Sequence, residues 1–317
     1  MKIIMITPAP PRTRHGNRVT ALRWRGILEG LGHRVTLAQT YDAQRCDLMI
    51  ALHARRSHAA LRAYRDHYPR APLVLALTGT DLYRDMQISE EARASLRMAT
   101  RLVALQPLAS RELPRAVRSK LRVIVQSAQA PPAGVKPPHT GFPVCVVGHL
   151  REEKDPFRAA MAVRGLPASS RIRVLHAGKA LNPQMERKAK REAQTNSRYS
   201  WLGELPRWRV RRLLAACRLM VLSSRMEGGA NVISEAGAAG LPVLASKIPG
   251  TVGLLGDSYP GYFGVGDTRE LRELLTRAED DAAFLRALQR HMARLAPMFQ
   301  PSREIAGWRS LLAELKL

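Results

Sequence analysis

Three short stretches of the sequence carry residue types that can bind and process an anionic substrate. Gly148-His149-Leu150-Arg151-Glu152-Glu153-Lys154-Asp155-Pro156 puts a glycine turn, a histidine and a lysine in one loop, where cations can meet a phosphate. Ser224-Arg225-Met226-Glu227-Gly228-Gly229-Ala230-Asn231 runs into an apolar helical stretch. Its paired glycines let a backbone approach a ligand closely, and the helix start offers free N–H groups and a positive dipole end. Glu227 and Glu235 bracket this turn with seven residues between them. Two carboxylates invite an acid/base reading. Yet one precedes the helix and the other lies a turn or more inside it, so nothing makes them face each other across a scissile bond. A carboxylate repels a diphosphate, whereas hydrogen bonds to hydroxyls suit it. For Glu235 the competing reading is an ordinary helix residue, although an idle glutamate within ISEAGAAGLPVLAS would be costly. The third stretch is Leu77-Thr78-Gly79-Thr80-Asp81-Leu82-Tyr83-Arg84-Asp85. Thr78, Gly79 and Thr80 offer hydroxyl and backbone donors to an oxyanion, while Asp81 either orients an acceptor or caps the helix that follows.

Each stretch follows a predicted strand, which is where open parallel α/β sheets bind ligands. Lys2 to Thr7, Gly16 to Gly30 and Arg34 to Thr40 form a βαβ unit, with Gly32 as the helix stop. Apolar runs at Asp47–Leu52, Leu73–Leu77, Arg101–Leu105 and Arg122–Val125 alternate with helical stretches at Ser57–His67, Ser89–Met98 and Ser110–Val117. Short buried strands separated by helices predict a parallel sheet covered on both faces. Ala130 to Pro143 is rich in proline and glycine and reads as a linker. The rhythm restarts with strands at Val144–Val147, Arg171–His176, Tyr199–Leu202, Leu219–Ser223 and Pro242–Ser246. Helices fall between them, from Pro156 and at Gln184–Ala193, Arg207–Ala216 and Asn231–Ala239. Helical stretches at Thr268–Leu295 and Ser302–Leu315 follow, interrupted at Pro297 and Pro301. The expected fold class is α/β, two doubly wound domains in tandem. The expected division is 1–130 for the first domain, 131–143 for a linker, 144–296 for the second domain and 297–317 for a terminal helix.

Composition narrows the possibilities. The chain has 317 residues, 45% of them hydrophobic, with mean hydropathy −0.21, which excludes a mainly disordered protein. Runs such as Leu73–Leu77 and Leu219–Leu222 fall far short of the ~20 residues that span a bilayer. The start MKIIMITPAPP lacks the apolar core of a secretory signal, so the expected location is the cytoplasm. Cys46, Cys145 and Cys217 are widely spaced and suit reduced, buried thiols rather than a metal site. The net charge of +25, carried by 42 arginines and nine lysines, attracts polyanions. Against nucleic acid as partner, aromatics are only 5% and no RNA-binding or zinc-finger signature appears. Most of the arginines read as solvated helix faces. Arg207 to Arg212 could make a peripheral basic contact with a membrane surface.

The tandem of GHLREEK and EGGANVISEA followed by GLPVLAS resembles the C-terminal half of family 4 glycosyltransferases of the GT-B fold. Gly32-His33-Arg34-Val35 matches the same family's pattern near the N-terminus. The resemblance implies two Rossmann-like domains facing a cleft, a final helix crossing back to the first domain, a UDP-sugar co-substrate and no required cofactor or metal. It assigns Lys154 to the donor diphosphate, Glu235 to the nucleotide ribose and Glu227 to the vicinity of the donor sugar. Gly148, Gly228, Gly229, Ala230 and Asn231 complete the implied donor site. His149 stands where the family has arginine; with a reference pKa of ~6.5 it can serve as charge, neutral donor or proton carrier. His15-Gly16-Asn17 keeps one of the family's paired glycines.

The short first domain, the TGTDLYRD loop, the EGGAN turn and Tyr259-Pro260-Gly261-Tyr262-Phe263 resemble one branch of that family, the selenosugar synthases of selenoneine biosynthesis. That branch implies selenophosphate as acceptor and a functional link to an enzyme supplying it. His149, Lys154 and Glu227 are then the implied catalytic residues. Arg12, Gly16, Asn17, Thr78, Gly79, Thr80 and Asp81 are the implied acceptor residues, with Arg14 near in sequence. The competing readings are a family 4 glycosyltransferase with a carbohydrate or lipid acceptor, and a basic nucleic-acid binder.

Overall fold

The computed structural model describes residues 1–13 and 15–315, so Arg14 lies outside the described residues. The chain divides into two compact units. One comprises Met1–Gln126, Glu227–Gly229 and the chain from Pro301; the other comprises Ser127–Met226 and Ala230–Gln300.

The first unit holds the strands β1 (Lys2–Ile6), β2 (Arg34–Ala38), β3 (Leu48–Leu52), β4 (Leu73–Leu77), β5 (Arg101–Ala104) and β6 (Leu121–Val123). They form a wholly parallel sheet in the order β2-β1-β3-β4-β5-β6. The chain leaves β1 toward one edge for β2 and returns past β1 for β3, so the topological switch lies between β1 and β3, in the register Ile3↔Leu48 and Met5↔Ile50. Every residue of β3 and β4 is buried, which is why both read as unbroken apolar runs. Alternate strand residues feed two cores. Met49, Ala51, Leu75 and Leu77 pack with Leu61 and Tyr64 of α2 (His58–His67) and Leu96 of α4 (Glu90–Met98). Leu48, Ile50, Leu52 and Val74 pack with Trp24 and Leu28 of α1 (Gly16–Gly30).

The last helix, α12 (Pro301–Glu314), completes this second face. Trp308 meets Trp24 edge-on, with ring centroids 4.8 Å apart. Beside them the buried Glu304 accepts hydrogen bonds from Trp24 Nε1 at 2.7 Å and Arg23 Nε at 3.1 Å. Pro301 begins α12 rather than breaking it, because the first helical position needs no N–H. The helix expected at Ser110–Val117 is replaced by two 3₁₀ turns, Pro107–Glu112 and Arg115–Lys120, with Pro114 between them. A π turn at Asp81–Asp85 and the short helix α3 (Met86–Ile88) were not expected.

The second unit holds β7 (Phe142–Val147), β8 (Ile172–Ala177), β9 (Tyr199–Trp201), β10 (Leu219–Leu222), β11 (Val243–Ser246) and β12 (Tyr262–Phe263). The sheet is again parallel, ordered β12-β11-β10-β7-β8-β9, and its switch lies between β7 and β10. Phe142 and Pro143, expected in the linker, open β7, where a strand start tolerates proline. The helices are α5 (Arg158–Arg164), α6 (Pro183–Thr195), α7 (Arg207–Ala216), α8 (Asn231–Ala238), α9 (Pro249–Leu255), α10 (Thr268–Asp280) and α11 (Ala282–Leu295). The stretch Thr268–Leu295 is two helices rather than one. Asp281 divides them, its carboxylate capping the N–H groups of Ala283 and Phe284. No helix among the described residues is long and apolar enough to cross a membrane.

Candidate functional site

In the second unit the chemistry gathers at the switch. β7 delivers Gly148 and His149, a one-turn 3₁₀ helix carries Glu152–Lys154, and Asp155 follows in a left-handed conformation at φ 43°. Asp155 is held by Arg158 at 2.8 Å, and Arg158 also donates to Thr268 Oγ1 at 2.6 Å. The loop is tied to the segment after β10: Ser223 Oγ donates to Asp155 O at 2.9 Å, and Arg225 N donates to Glu153 O at 2.8 Å. Gly148, Lys154, Ser223 and Ser224 thus line one small pocket at the carboxyl ends of β7 and β10.

A buried histidine fixes the floor of this loop. His176 Nε2 lies 3.1 Å from Gly148 O and Nδ1 lies 2.9 Å from Tyr199 Oη. A carbonyl only accepts, so Nε2 carries the proton and Tyr199 donates to Nδ1. Burial holds the His176 pKa down at about 4, so the ring is neutral. Gly178 packs flat on Gly148, and a Cβ there would overlap Gly148 O. His149 Nδ1 accepts from Lys179 N at 3.1 Å, which makes Nε2 the protonated, donating nitrogen. Ala230 precedes α8, and its methyl side chain makes no capping hydrogen bond. Asn231 and Glu235 are half-buried on this helix.

In the first unit the Thr78–Thr80 loop differs from the expectation that its backbone would serve an oxyanion. Asp81 is fully buried; its carboxylate accepts from Thr78 N at 2.9 Å, Gly79 N at 2.8 Å and Ala54 N at 3.0 Å. Those amides are bonded to Asp81, and the carboxylate does not cap its own helix. Asp81 shapes the loop, and the Thr78 and Thr80 hydroxyls and the Thr80 N–H stand outside these bonds. Gly79 is held at φ +145°, a conformation that glycine allows. The Glu227–Gly229 turn packs directly on this loop: a Cβ on Gly228 would lie 2.5 Å from Gly79 N, and one on Gly229 would overlap Leu105. The paired glycines are thus needed for backbone-to-backbone approach, and Glu227 itself is nearly buried. Elsewhere Arg12 is exposed with a left-handed φ of 62°. Gly16 and Asn17 open α1, and a Cβ on Gly16 would meet open space.

Sequence reasoning passed over His53, which follows β3 at the switch. It is buried with φ 76°. Its Nδ1 accepts from Arg56 N at 3.3 Å, so Nε2 carries the proton and donates to Thr80 Oγ1 at 3.0 Å. Burial lowers its pKa, outweighing the pull of Asp81 and Asp85. The signal was available, since His53 immediately follows the apolar run Asp47–Leu52. Asp85 lies behind it with one oxygen 3.3 Å from Arg55 Nε and 3.8 Å from His53 Nε2. Among the described residues no group of three or more His, Cys, Asp or Glu side chains is arranged to hold a metal ion.

A sequence profile of the family described as "Glycosyl transferases group 1" matches residues 132–295, just over half of the chain. Solved structures extend the likeness over its full length. Sucrose-phosphate synthase from Thermosynechococcus elongatus superposes with TM-score 0.79 at 16% identity, covering 99% of this chain and 98% of that one. HepE from Anabaena in complex with UDP and glucose gives 0.75 at 19% identity, covering 99% and 100%. The Escherichia coli trehalose-6-phosphate protein bound with UDP-2-fluoro glucose gives 0.73 at 12%, covering 100% and 99%. At such identities the likeness is one of fold, and two tandem six-stranded parallel sheets with flanking helices are the GT-B fold. Because the profile covers more than half of the sequence, including the Gly148 loop, the Glu227 turn and α8, the chain belongs to the group 1 glycosyltransferase family.

Proposed function

We propose that this glycosyltransferase transfers a hexosyl group from a UDP-sugar, UDP-glucose or UDP-N-acetylglucosamine, to selenophosphate. The observation that carries the donor half is the second unit's switch. There the Lys154 loop is bound to the Ser223–Arg225 segment ahead of a helix start without a side-chain cap. Such an arrangement suits a diphosphate, which gains from a cation and from a helix N-terminus at once. HepE was captured with UDP and glucose on the same fold. In this reading Lys154, His149, Gly148 and the amides from Gly229 to Asn231 stabilise the departing UDP. Glu235 binds the ribose hydroxyls and Glu227 the sugar.

The acceptor half rests on the likeness of TGTDLYRD, EGGAN and YPGYF to the selenosugar synthases. One structural observation supports it. Both ring nitrogens of His53, the histidine beside the Thr78–Thr80 loop, are engaged, the Nδ1 lone pair by Arg56 N and Nε2 by Thr80 Oγ1. A hydroxyl acceptor needs a base to take its proton, whereas selenium in selenophosphate arrives anionic and needs none. Selenium attacks the anomeric carbon as its bond to the UDP oxygen breaks. Hydrolysis of the Se–P bond by water then releases phosphate and leaves the 1-seleno sugar. Thr78 and Thr80 hydroxyls, Arg12, Gly16 and Asn17 form the acceptor side, with Gly79 and Asp81 holding the loop. The enzyme works in the cytoplasm beside a source of selenophosphate.

Incubation of the purified protein with each UDP-sugar and selenophosphate tests this reading. The expected products are UDP, phosphate and a 1-seleno sugar identified by mass. UDP release with carbohydrate or lipid acceptors and none with selenophosphate would assign a conventional transferase instead. Glu235→Ala is expected to weaken UDP binding and Lys154→Ala chiefly to lower kcat; unchanged kinetics in both would refute the donor assignment.

A further inference from the structure

His53 settles what the hydroxyl of Thr80 can do. The ring's Nδ1 accepts from Arg56 N at 3.3 Å, so the proton sits on Nε2, 3.0 Å from Thr80 Oγ1. The Thr80 oxygen is the acceptor in that bond, and its own proton must be donated elsewhere. Thr80 stands before the π turn without capping it, and among the described residues no hydrogen bond takes that proton. Asp85 Oδ2, 3.8 Å from the same Nε2, is buried and receives no hydrogen bond, so it is not the recipient. Thr80 itself is half-buried. Beside it a cation is held by the same buried group. Asp85 Oδ2 lies 3.3 Å from Arg55 Nε, while Arg84 Nε donates to Oδ1 at 3.2 Å. Both carboxylate oxygens thus face a guanidinium, which offsets the negative charge behind the hydroxyl. Arg55 meets Asp85 through Nε and is 40% exposed; among the described residues no hydrogen bond engages its Nη1 or Nη2. All of these groups belong to the first unit.

We infer that Thr80 and Arg55 form a binding site for a phosphoryl anion, the phosphate end of the acceptor, with His53 as the positioning residue that commits the Thr80 hydroxyl to donation. The inference rests on the proposed reading that the acceptor is anionic. An ionised phosphoryl oxygen only accepts, and a hydroxyl that already accepts one hydrogen bond has its proton to give, so the two match. Hydrogen bonds to an ionised oxygen are the strong ones, and a guanidinium supplies the opposite charge. A sugar hydroxyl must also place its own proton, and the Thr80 oxygen is already occupied by His53. Selenophosphate and a hexose phosphate both carry the group that fits.

Titration of the full-length protein with thiophosphate by calorimetry tests the site. Thr80→Val removes the donor and keeps the shape; thiophosphate affinity should fall roughly 10- to 150-fold, the worth of a hydrogen bond to a charged group, while Thr80→Ser should stay within about threefold of wild type. His53→Leu should reproduce most of the valine loss. His53→Gln, which can accept from Arg56 N and donate to Thr80, should restore binding. Arg55→Gln should weaken thiophosphate as well, with UDP affinity unchanged in all five variants. Sulfate, which offers only acceptor oxygens, should compete. UDP release with selenophosphate alone would place the bound group on selenophosphate, and UDP release with glucose 6-phosphate would place it on a hexose phosphate. Native affinity in Thr80→Val, or the same loss in Thr80→Ser as in Thr80→Val, would overturn the inference. Equal losses in His53→Gln and His53→Leu would overturn the positioning role. A wild-type protein that turns over selenophosphate yet binds no thiophosphate would also overturn the site. Thiophosphate binding without UDP release from selenophosphate would instead defeat the selenophosphate reading and leave the anion site standing.

Discussion

Replacing Asp81 by asparagine separates a loop-building carboxylate from one that meets substrate. In the native loop one oxygen accepts from both Thr78 N and Gly79 N, at 2.9 and 2.8 Å, and the other accepts from Ala54 N at 3.0 Å. Asparagine has a single acceptor oxygen. If it serves Thr78 and Gly79, its NH₂ group faces the Ala54 N–H, donor against donor, at a fully buried site. Hydrogen bonds to charged groups contribute about 1.5–3 kcal/mol each, so losing one and removing the charge from two others costs about 2–4 kcal/mol locally. Alanine abandons all three amides and costs about 4.5–9 kcal/mol on the same scale. Amide hydrogen exchange at Ala54, Thr78 and Gly79 reads this directly. The opening free energy should fall by that amount, and exchange should accelerate roughly 30- to 800-fold in Asp81→Asn, with the amides of β4 unaffected. The reasoning is refuted if the three amides exchange at their native rates while the acceptor KM rises, since the carboxylate would then be binding substrate instead of backbone.

Three further outcomes follow from described contacts. Glu304→Ala leaves Trp24 Nε1 and Arg23 without their shared acceptor under α12, and should lower stability by about 3–5 kcal/mol, measured as a reduced urea midpoint. Gly178→Ala drives a Cβ into Gly148 O and should cost at least about tenfold in UDP affinity by calorimetry, with circular dichroism unchanged. His176 titrates differently in the two states: the folded ring has its pKa at about 4, against an ordinary 6.5. Above 6.5 both states are neutral. As pH falls from 6.5 toward 4 the unfolded chain takes up a proton that the folded one refuses, so stability declines by up to about 3 kcal/mol and then levels off. Urea midpoints across that range should show this slope in wild type and its loss in His176→Gln; an identical slope in both proteins would place the titration elsewhere.

What the sequence made legible follows from what is local. Leu73–Leu77 and Leu219–Leu222 declare themselves because strands buried on both faces need only apolar residues, and the turn after each is placed with them. The Gly148 loop and the Glu227 turn were therefore found at strand ends before any coordinates. The internal bonding of those loops was not legible. That Asp81 turns back to Thr78 and Gly79 depends on Ala54, which lies in a different loop. Gln106 and Tyr83 pair across 23 positions, and nothing in either neighbourhood announces it. Element ends were blurred where one residue type has two uses. Asp281 reads as one more polar helix residue, yet its carboxylate starts a new helix. Pro301 reads as a breaker and is a first-turn residue.

The position of α12 after the second unit in the chain bears on the order in which the protein can assemble during synthesis. Trp24, Leu28 and Val103 lose part of their cover without Trp308 and Leu311, and Glu304 is the acceptor for the Trp24 indole. The ribosome completes residues 1–126 early but makes Pro301 onward only after all of Ser127–Gln300. At about 5–20 residues per second the wait is on the order of 10–35 s. Over that interval the nascent first unit presents an uncovered aromatic and aliphatic face, the kind of surface that holdase chaperones bind. The second unit has its own elements in hand before α12 emerges. The N-terminal unit is thus finished after the second, and a chain stopped before residue 301 would carry that open face permanently.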